Sequence, residues 1–278
     1  MTKTSLSVVI ITKNEERNIE DCLKSVSWAA ECIVVDDEST DRTVDIAKRL
    51  GAKVFHRKMD NEGKHRNWAY AQATNEWILS LDADERVMDE LRDEIIATIP
   101  NAEHPTYTIP RRNYIGDYWV KYGGQYPAAQ RRLFKKGYFS YEEVGVHPRA
   151  FVKGEHKGHL TKDMIHYSYR DIEHFVRKLN GQTTLEAHKW IQTNRKVTFG
   201  RALWRTIDRF FRAYVRKKGY KDGLIGFMFA LFGSFYQMAS YSKYWEIKKG
   251  NVVGTVGLPP AHASTESHQG EVREQSTA

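Results

Sequence analysis

The chain has 278 residues, 41% of them hydrophobic and 28% charged, with 43 Lys and Arg against 35 Asp and Glu. That length and apolar content build a full core over one or two domains, and they exclude a disordered chain or a small disulfide-stapled one. Cys22 and Cys32 have no metal-type spacing and point to a reduced, cytoplasmic setting, and the short N-terminal apolar run does not read as a signal peptide.

In chain order, residues 6–12 are a continuous β-branched run and predict a strand buried on both faces. Asn14 resembles a helix cap ahead of Ile19, Cys22, Leu23 and Val26, which recur at helical spacing. Residues 31–36 predict a second buried strand ending at Asp36 and Asp37. Ser39 or Thr40 then starts a helix through Val44, Ile46, Ala47 and Leu50, closed by Gly51. Residues 53–56 predict a third strand, 64–74 a helix and 77–81 a fourth strand. Four strands alternating with helices imply a parallel, doubly wound α/β sheet. Beyond it, 90–98 predict a helix stopped by Pro100, and 107–112 and 131–134 predict strands around a Gly-rich aromatic loop at 115–127. Loops of that length in compact domains usually bind something. From Asp171 helices dominate, and 255–278 read as disordered.

The fourth strand ends in Leu81-Asp82-Ala83-Asp84-Glu85. In an extended chain residues i and i+2 project to the same side, so Asp82 and Asp84 emerge together at a carboxyl strand end. Open α/β sheets bind ligands at that edge. Two hard oxygen anions there suit Mg2+ or Mn2+ shared with substrate phosphates. Taken alone, such a pair reads first as a solvated acidic turn. Three further clusters fall where they reach the same edge: Thr12-Lys-Asn-Glu15, Asp36-Asp-Glu-Ser-Thr-Asp41 and Gly63-Lys-His-Arg-Asn67. Acids for a base or ribose, Lys and Arg for a diphosphate, and the paired aspartates for a metal together describe a nucleotide-diphosphate site. Lys64 suits the diphosphate and is equally well explained by solvation. Trp119, Tyr122 and Tyr126 suit sugar stacking in a mobile lid, or core packing under the loop.

Between 195 and 221 stand ten Lys and Arg, which suit nucleic acid, anionic lipid or a phosphorylated acceptor, or simply a solvated helix face. The uncharged stretch 224–241 is at the lower edge of a membrane span. Its polar Ser234, Gln237 and Ser240 weaken a spanning reading, and the preceding basic segment favours a helix lying in the membrane interface over a core helix.

The chain resembles the family 2 inverting glycosyltransferases of the GT-A fold in Ser7-Val-Val-Ile-Ile-Thr-Lys-Asn-Glu15, Val34-Val-Asp-Asp-Glu-Ser-Thr-Asp-Arg-Thr43, Arg66-Asn67 and Leu79-Ser-Leu-Asp-Ala-Asp-Glu85. More narrowly, Gly123-Gly-Gln-Tyr-Pro127, Arg132-Leu-Phe134, Val146-His147 and Ile165-His-Tyr-Ser-Tyr-Arg170 resemble the bacterial lipopolysaccharide core glucosyltransferases that act on heptose. The resemblance implies a GT-A nucleotide-sugar and catalytic domain over 1–170, a helical membrane- or acceptor-associating region over 171–254, and a tail over 255–278. It places Thr12, Glu15 and Asp37 in the base pocket, Arg66 by the nucleotide, Asp82 near ribose and metal, and Asp84 as the direct ligand of Mg2+ or Mn2+. The acceptor base is open, because relatives carry His-Glu where this chain has His147-Pro148. Glu143 and Glu142 are the nearest substitutes, ahead of Asp117 and Asp163. Ala128 also stands where relatives often have an acid.

The expected activity is metal-dependent transfer of a hexose, glucose foremost, from a UDP-sugar or another nucleotide-sugar to a lipid-linked saccharide such as the lipopolysaccharide inner core. The expected place is the inner face of the bacterial plasma membrane, on an anionic surface. Polyprenyl phosphate or another cell-surface polysaccharide is the alternative acceptor. A nucleic-acid-binding protein using 195–221 is the alternative outside the enzymes; it leaves the N-terminal acids unexplained, so no nucleic-acid partner is expected.

Overall fold

The first strand is apolar at nearly every position because both of its faces are covered. In β1 (Thr4–Thr12), Leu6, Val8 and Ile10 belong to one buried cluster and Val9 to another. The first cluster takes Ile19, Cys22 and Leu23 from α1 (Ile19–Ser25) and Ile46 and Ala47 from α2 (Thr43–Arg49). The second takes Ala69 and Tyr70 from α3 (Glu62–Ala71). Between these helices run β2 (Ala29–Asp36), β3 (Lys53–His56) and β4 (Trp77–Asp82). The computed structural model describes residues 4–143, 149–154 and 158–250.

β5 (Glu85–Val87) and α4 (Asp89–Thr98) follow, then β6 (Thr106–Ile109), β7 (Arg111–Ile115), β8 (Tyr118–Trp119) and β9 (Gln130–Lys135). After them come β10 (Phe139–Tyr141), β11 (Ala150–Val152), β12 (Gly158–His159) and β13 (Met164–Tyr169). The main sheet has seven strands in the order β12-β6-β9-β4-β1-β2-β3. β1 pairs in parallel with β2 and β4, and β2 with β3, while β9 is antiparallel to both β4 and β6. A second sheet, β5-β13-β7-β8, stands beside the carboxyl end of β4. The fold is thus mixed α/β around four consecutive parallel strands, followed by α5 (Ile172–Gln192), α6 (Phe199–Phe211) and α7 (Gly223–Lys248).

Three local expectations are corrected. Asn14 does not cap α1: it has φ +54°, and its side chain accepts Thr40 N at 2.8 Å, tying the loop after β1 to the loop after β2. α2 starts at Thr43 rather than at Ser39 or Thr40, because the Asp41 carboxylate accepts Thr43 N at 3.0 Å and Glu16 N at 3.1 Å and holds that loop open. The strand expected at 107–112 is two strands in different sheets, since Pro110 interrupts the pairing between β6 and β7. Gly51 does close α2, at φ +78°.

The C-terminal helices pack as an antiparallel hairpin against α5. A Cβ at Gly226 would fall 1.9 Å from Gly219 O, so only glycine lets the first turn of α7 sit on the tight turn at Gly219–Asp222. The helical stretch Gly219–Lys248 is long and apolar enough to cross a membrane by length and composition, and 28% of its most apolar window is buried.

Candidate functional site

The carboxyl ends of β1, β2 and β4 open into a crevice of about 430 Å³. Thr12, Glu15, Asp37, Arg66, Asp82 and Asp84 all line it, together with Lys13, Arg111, His166 and Lys178.

The two aspartates after β4 stand in different surroundings. Asp82 accepts Arg66 Nη1 at 3.2 Å on Oδ1 and Arg132 Nη2 at 2.5 Å on Oδ2. Arg132 also donates to Glu85 Oε1 at 2.6 Å, and Arg111 Nη1 reaches the same oxygen at 3.0 Å. Burial opposes charge on Asp82, but Arg132 and Arg66 outweigh it and hold the carboxyl far below the usual range. Burial likewise works against the Arg132 cation, and Asp82 and Glu85 reverse that. Asp82 is therefore an ionised anchor committed to two guanidinium groups.

Asp84 meets a different set. His166 Nε2 lies 3.5 Å from Asp84 Oδ2, and Lys178 Nζ lies 3.9 Å away. Antiparallel pairing of β13 with β5 sets His166 opposite Glu85, and Tyr167 N donates to Asp84 O at 2.9 Å. Asn113 Nδ2 donates to Gln125 O at 2.9 Å, which turns Asn113 Oδ1 toward His166 Nδ1 at 2.8 Å. Ser168 Oγ also meets Nδ1, at 2.8 Å, so two oxygens fix this edge of the ring while Nε2 faces Asp84. Burial pushes the Asp84 carboxyl up, and the His166 hydrogen bond outweighs it, so the carboxyl sits below its ordinary value. No group of three or more His, Cys, Asp or Glu side chains gathers as a metal cage among the described residues. One carboxylate and one imidazole fit a divalent ion whose other positions are filled by phosphate oxygens and water.

The opposite end of the crevice is built for hydrogen bonding. Asp37 is buried, accepts Met59 N at 2.8 Å and pairs with Lys13 Nζ at 2.9 Å. Thr12 Oγ1 is buried without a hydrogen-bond partner among the described residues. An orphan of this kind costs about 1–3 kcal/mol, which a bound ligand relieves. The Glu15 carboxyl is raised by burial; a hydrogen bond from Asn18 opposes this and the charge of Asp84 adds to it.

Other residues singled out from the sequence lie elsewhere. Lys64 is not brought to the crevice: its backbone N–H is capped by Asn61 at 3.0 Å and its Nζ lies 3.7 Å from Asp60. α3 begins at Glu62, two residues earlier than expected, and Lys64 stands on the exposed side of its first turn, while Gly63 and His65 are buried. Glu142 exchanges hydrogen bonds with Arg149 (its N–H donates to Arg149 O at 2.8 Å), Glu143 is exposed, and neither lines the crevice. Asp117 is exposed on the turn between β7 and β8, and Asp163 is clasped by Arg112 at 2.7 Å and Tyr126 at 3.0 Å. Val146 and His147 lie outside the described residues. In the aromatic loop Trp119 packs edge-on to Tyr126 at 5.4 Å with Arg112 over its face at 4.8 Å, and Tyr122 N donates to Asp222 at 2.7 Å. His166, Arg132, Glu85, Lys13, Arg111 and Lys178 had no assigned role in the sequence. Lys13, Glu85, Arg132 and His166 stood inside quoted motifs, which did not say what those side chains touch, and nothing pointed to Arg111 or Lys178.

A parallel sheet with such a crevice at its carboxyl ends has the architecture of the nucleotide-binding α/β enzymes. The chain belongs to glycosyl transferase family 2, whose family model matches residues 7–153. It is 31% identical over 258 residues to an uncharacterised glycosyltransferase of Rickettsia bellii, covering 87% of this chain and 86% of that one. It is 24% identical over 253 residues to the lipopolysaccharide core biosynthesis glycosyltransferase LpsC of Rhizobium meliloti, covering 88% of this chain and 93% of that one. Among solved structures, S. aureus TarS 1-349 in complex with UDP-GlcNAc aligns with a TM-score of 0.47 at 16% identity, over 90% of this chain and 92% of that chain. That likeness is too loose to bear on the site. The chain is a glycosyltransferase, and its crevice is where transfer chemistry has to be sought.

Proposed function

We propose that the chain is a metal-dependent inverting hexosyltransferase that moves a hexose from a nucleotide-sugar to a lipid-linked saccharide at the cytoplasmic face of the plasma membrane. The observation that carries the reading is the division of labour after β4: Asp82 is fixed by Arg66 and Arg132, while Asp84 faces His166 across an open crevice. The lipopolysaccharide core as acceptor is supported by the likeness to LpsC along most of both chains. Residues 1–170 would carry the donor side and 171–254 the membrane and acceptor side.

In this reading Asp37 and the unpartnered Thr12 hydroxyl receive the nucleoside, with Glu15 beside them, and Arg66 and Asp82 set the ribose end. Asp84 and His166 would hold Mg2+ or Mn2+, and Lys178 would add a positive charge for the diphosphate. When bound, the ion stabilises the charge that builds on the departing nucleotide. The acceptor hydroxyl loses its proton to a carboxylate on the opposite face, for which Glu143 is the assignment. Glu143 lies two residues past Tyr141, whose ring is 5.7 Å from the Arg66 guanidinium at the crevice wall, and Glu142 is turned to Arg149.

The test uses the full chain with UDP-glucose, a panel of other nucleotide-sugars, lipid extract and Mn2+, with products read by mass spectrometry. Asp84→Ala is expected to lower transfer at least about a hundredfold with an unchanged melting temperature. Retained turnover sinks the assignment. Glu143→Gln is expected to remove transfer while UDP-sugar binding by calorimetry stays normal, and normal turnover moves the base elsewhere.

A further inference from the structure

α7 is inside out for a helix in water. Its buried positions are small or polar, including Gly226, Ala230, Ser234, Gln237 and Ser240, while Leu224, Phe227, Leu231 and Phe235 face outward, Leu224 at 71% exposure. α6 buries only Ala202 and turns Phe199, Leu203, Trp204, Ile207 and Phe211 outward, with Trp204 at 68% and Phe211 at 55% exposure. The two helices run side by side: Phe199 lies 6.1 Å from Tyr241 at one end and Phe210 lies 6.0 Å from Phe227 at the other. Their outward rows therefore lie side by side, and grouped apolar side chains of this kind, unlike single exposed ones, mark an interaction surface. Arg201 of α6 and Arg216, Lys217 and Lys218 at the turn that follows it are exposed.

We propose that the α6–α7 hairpin is an in-plane anchor that lays this face into an anionic phospholipid bilayer, with the basic residues at the headgroups. Apolar area plus Lys and Arg is what binds such a surface, and a second copy of the same basic face would meet it with like charge. The hairpin lies in the membrane rather than across it. Along its length α7 is held to α5, by Phe175 stacked on Phe229 at 4.8 Å, by Lys243 on Asn180 at 2.7 Å and by Trp190 against Tyr244 at 6.0 Å. A spanning α7 would give up all three.

The anchor also adjoins the crevice. The turn joining α6 to α7 grips the aromatic loop, with Asp222 accepting Tyr122 N at 2.7 Å and Lys217 O accepting Gly123 N at 2.9 Å. A cavity of about 410 Å³ is walled by Arg209 and Tyr236 of the hairpin, by Phe175 and Leu179 of α5, and by Gln125 and Tyr169, which touch Asn113 and the crevice residue Lys178. A saccharide borne on a lipid in the same bilayer thus has a short way to the donor. This last step rests on the glycosyltransferase reading; the anchor itself does not.

The test is sedimentation of the full chain with phosphatidylcholine vesicles, with and without phosphatidylglycerol, alongside UDP-glucose hydrolysis without acceptor. Wild type is expected to bind the anionic vesicles at least about tenfold more tightly than the neutral ones. Ile207→Glu with Phe211→Glu is expected to abolish binding, and Arg201→Glu with Arg216→Glu, which leaves the apolar face intact, to remove only the anionic preference, hydrolysis being unchanged in both. Failure of wild type to bind, binding that survives the Ile207/Phe211 change, a dimer in light scattering that this change dissolves, or a nucleic-acid gel shift that vesicles do not compete each overturns the proposal. Vesicle binding without UDP-glucose hydrolysis leaves the anchor standing and tells only against UDP-glucose as the donor.

Discussion

Asp82 and Asp84 are two residues apart and the structure uses them in opposite ways. Their spacing, and the strand end that aims both at one edge, are legible in the sequence. What neutralises each is not, because the partners are distant: Arg132 lies 50 positions from Asp82 and reaches it only through the pairing of β9 with β4. The same holds for His166, which comes beside Asp84 through the pairing of β13 with β5. Arg132 is buried, and its partner Glu85 is fully so. Arg132→Met is therefore expected to leave Asp82 to Arg66 alone and Glu85 to Arg111 alone, and to cost about 3 kcal/mol. Urea unfolding at neutral pH measures it. A loss below about 1 kcal/mol, within the range of a surface ion pair, would mean that solvent already reaches this network. Asp84→Ala breaks no such pair with arginine, so loss of activity without loss of stability separates the two aspartates.

At the scale of elements, the sheet is fastened at the edge opposite the crevice. Glu31 of β2 is 7% exposed. It accepts Ser7 Oγ of β1 at 2.6 Å, Lys53 Nζ of β3 at 2.6 Å, and both the N–H and hydroxyl of Thr74, just before β4, at 2.9 Å. Burial pushes this carboxyl up, but the bonds from Lys53, Ser7 and Thr74 prevail and bring it from 4.5 down to about 2. A depressed carboxyl lends stability that is whole above its unfolded value and drains as pH falls toward the folded one. Glu31→Gln is expected to cost about 2 kcal/mol at pH 7, since hydrogen bonds to a charged acceptor are lost. The gap between wild type and variant should close between pH 4.5 and pH 2. A gap independent of pH in that window excludes the carboxylate as its source. The strands that Glu31 joins were legible because residues 6–12, 31–36 and 77–81 are apolar without alternation. The second sheet was not, because its strands are short and polar and β13 joins β5 and β7 across more than fifty residues, and only the break at Pro110 marks where one sheet hands over to the other.

Across the whole molecule, burial is unevenly spread. Val8, Val9 and Ile10, Ile33 and Val34, and Leu79 and Leu81 are fully buried, while α6 contributes only Ala202 to any core. The sequence read 195–221 by its charge, and the charge hid a second period: Phe199, Leu203, Ile207 and Phe211 recur every four residues on the side away from the body. A segment with few buried apolar contacts opens locally at a lower free energy than the core does. Amide exchange in water is therefore expected to be slowest in β1, β2 and β4 and several orders of magnitude faster in α6, where opening exposes almost no further apolar surface. Anionic vesicles should slow exchange in α6 and the outward face of α7 while leaving the strands unchanged, because a ligand stabilises only what it contacts or what opens together with it. If α6 is as protected as β1 before any lipid is added, its apolar face is already covered in solution, and the division of the molecule into a stable donor half and a lipid-completed half fails.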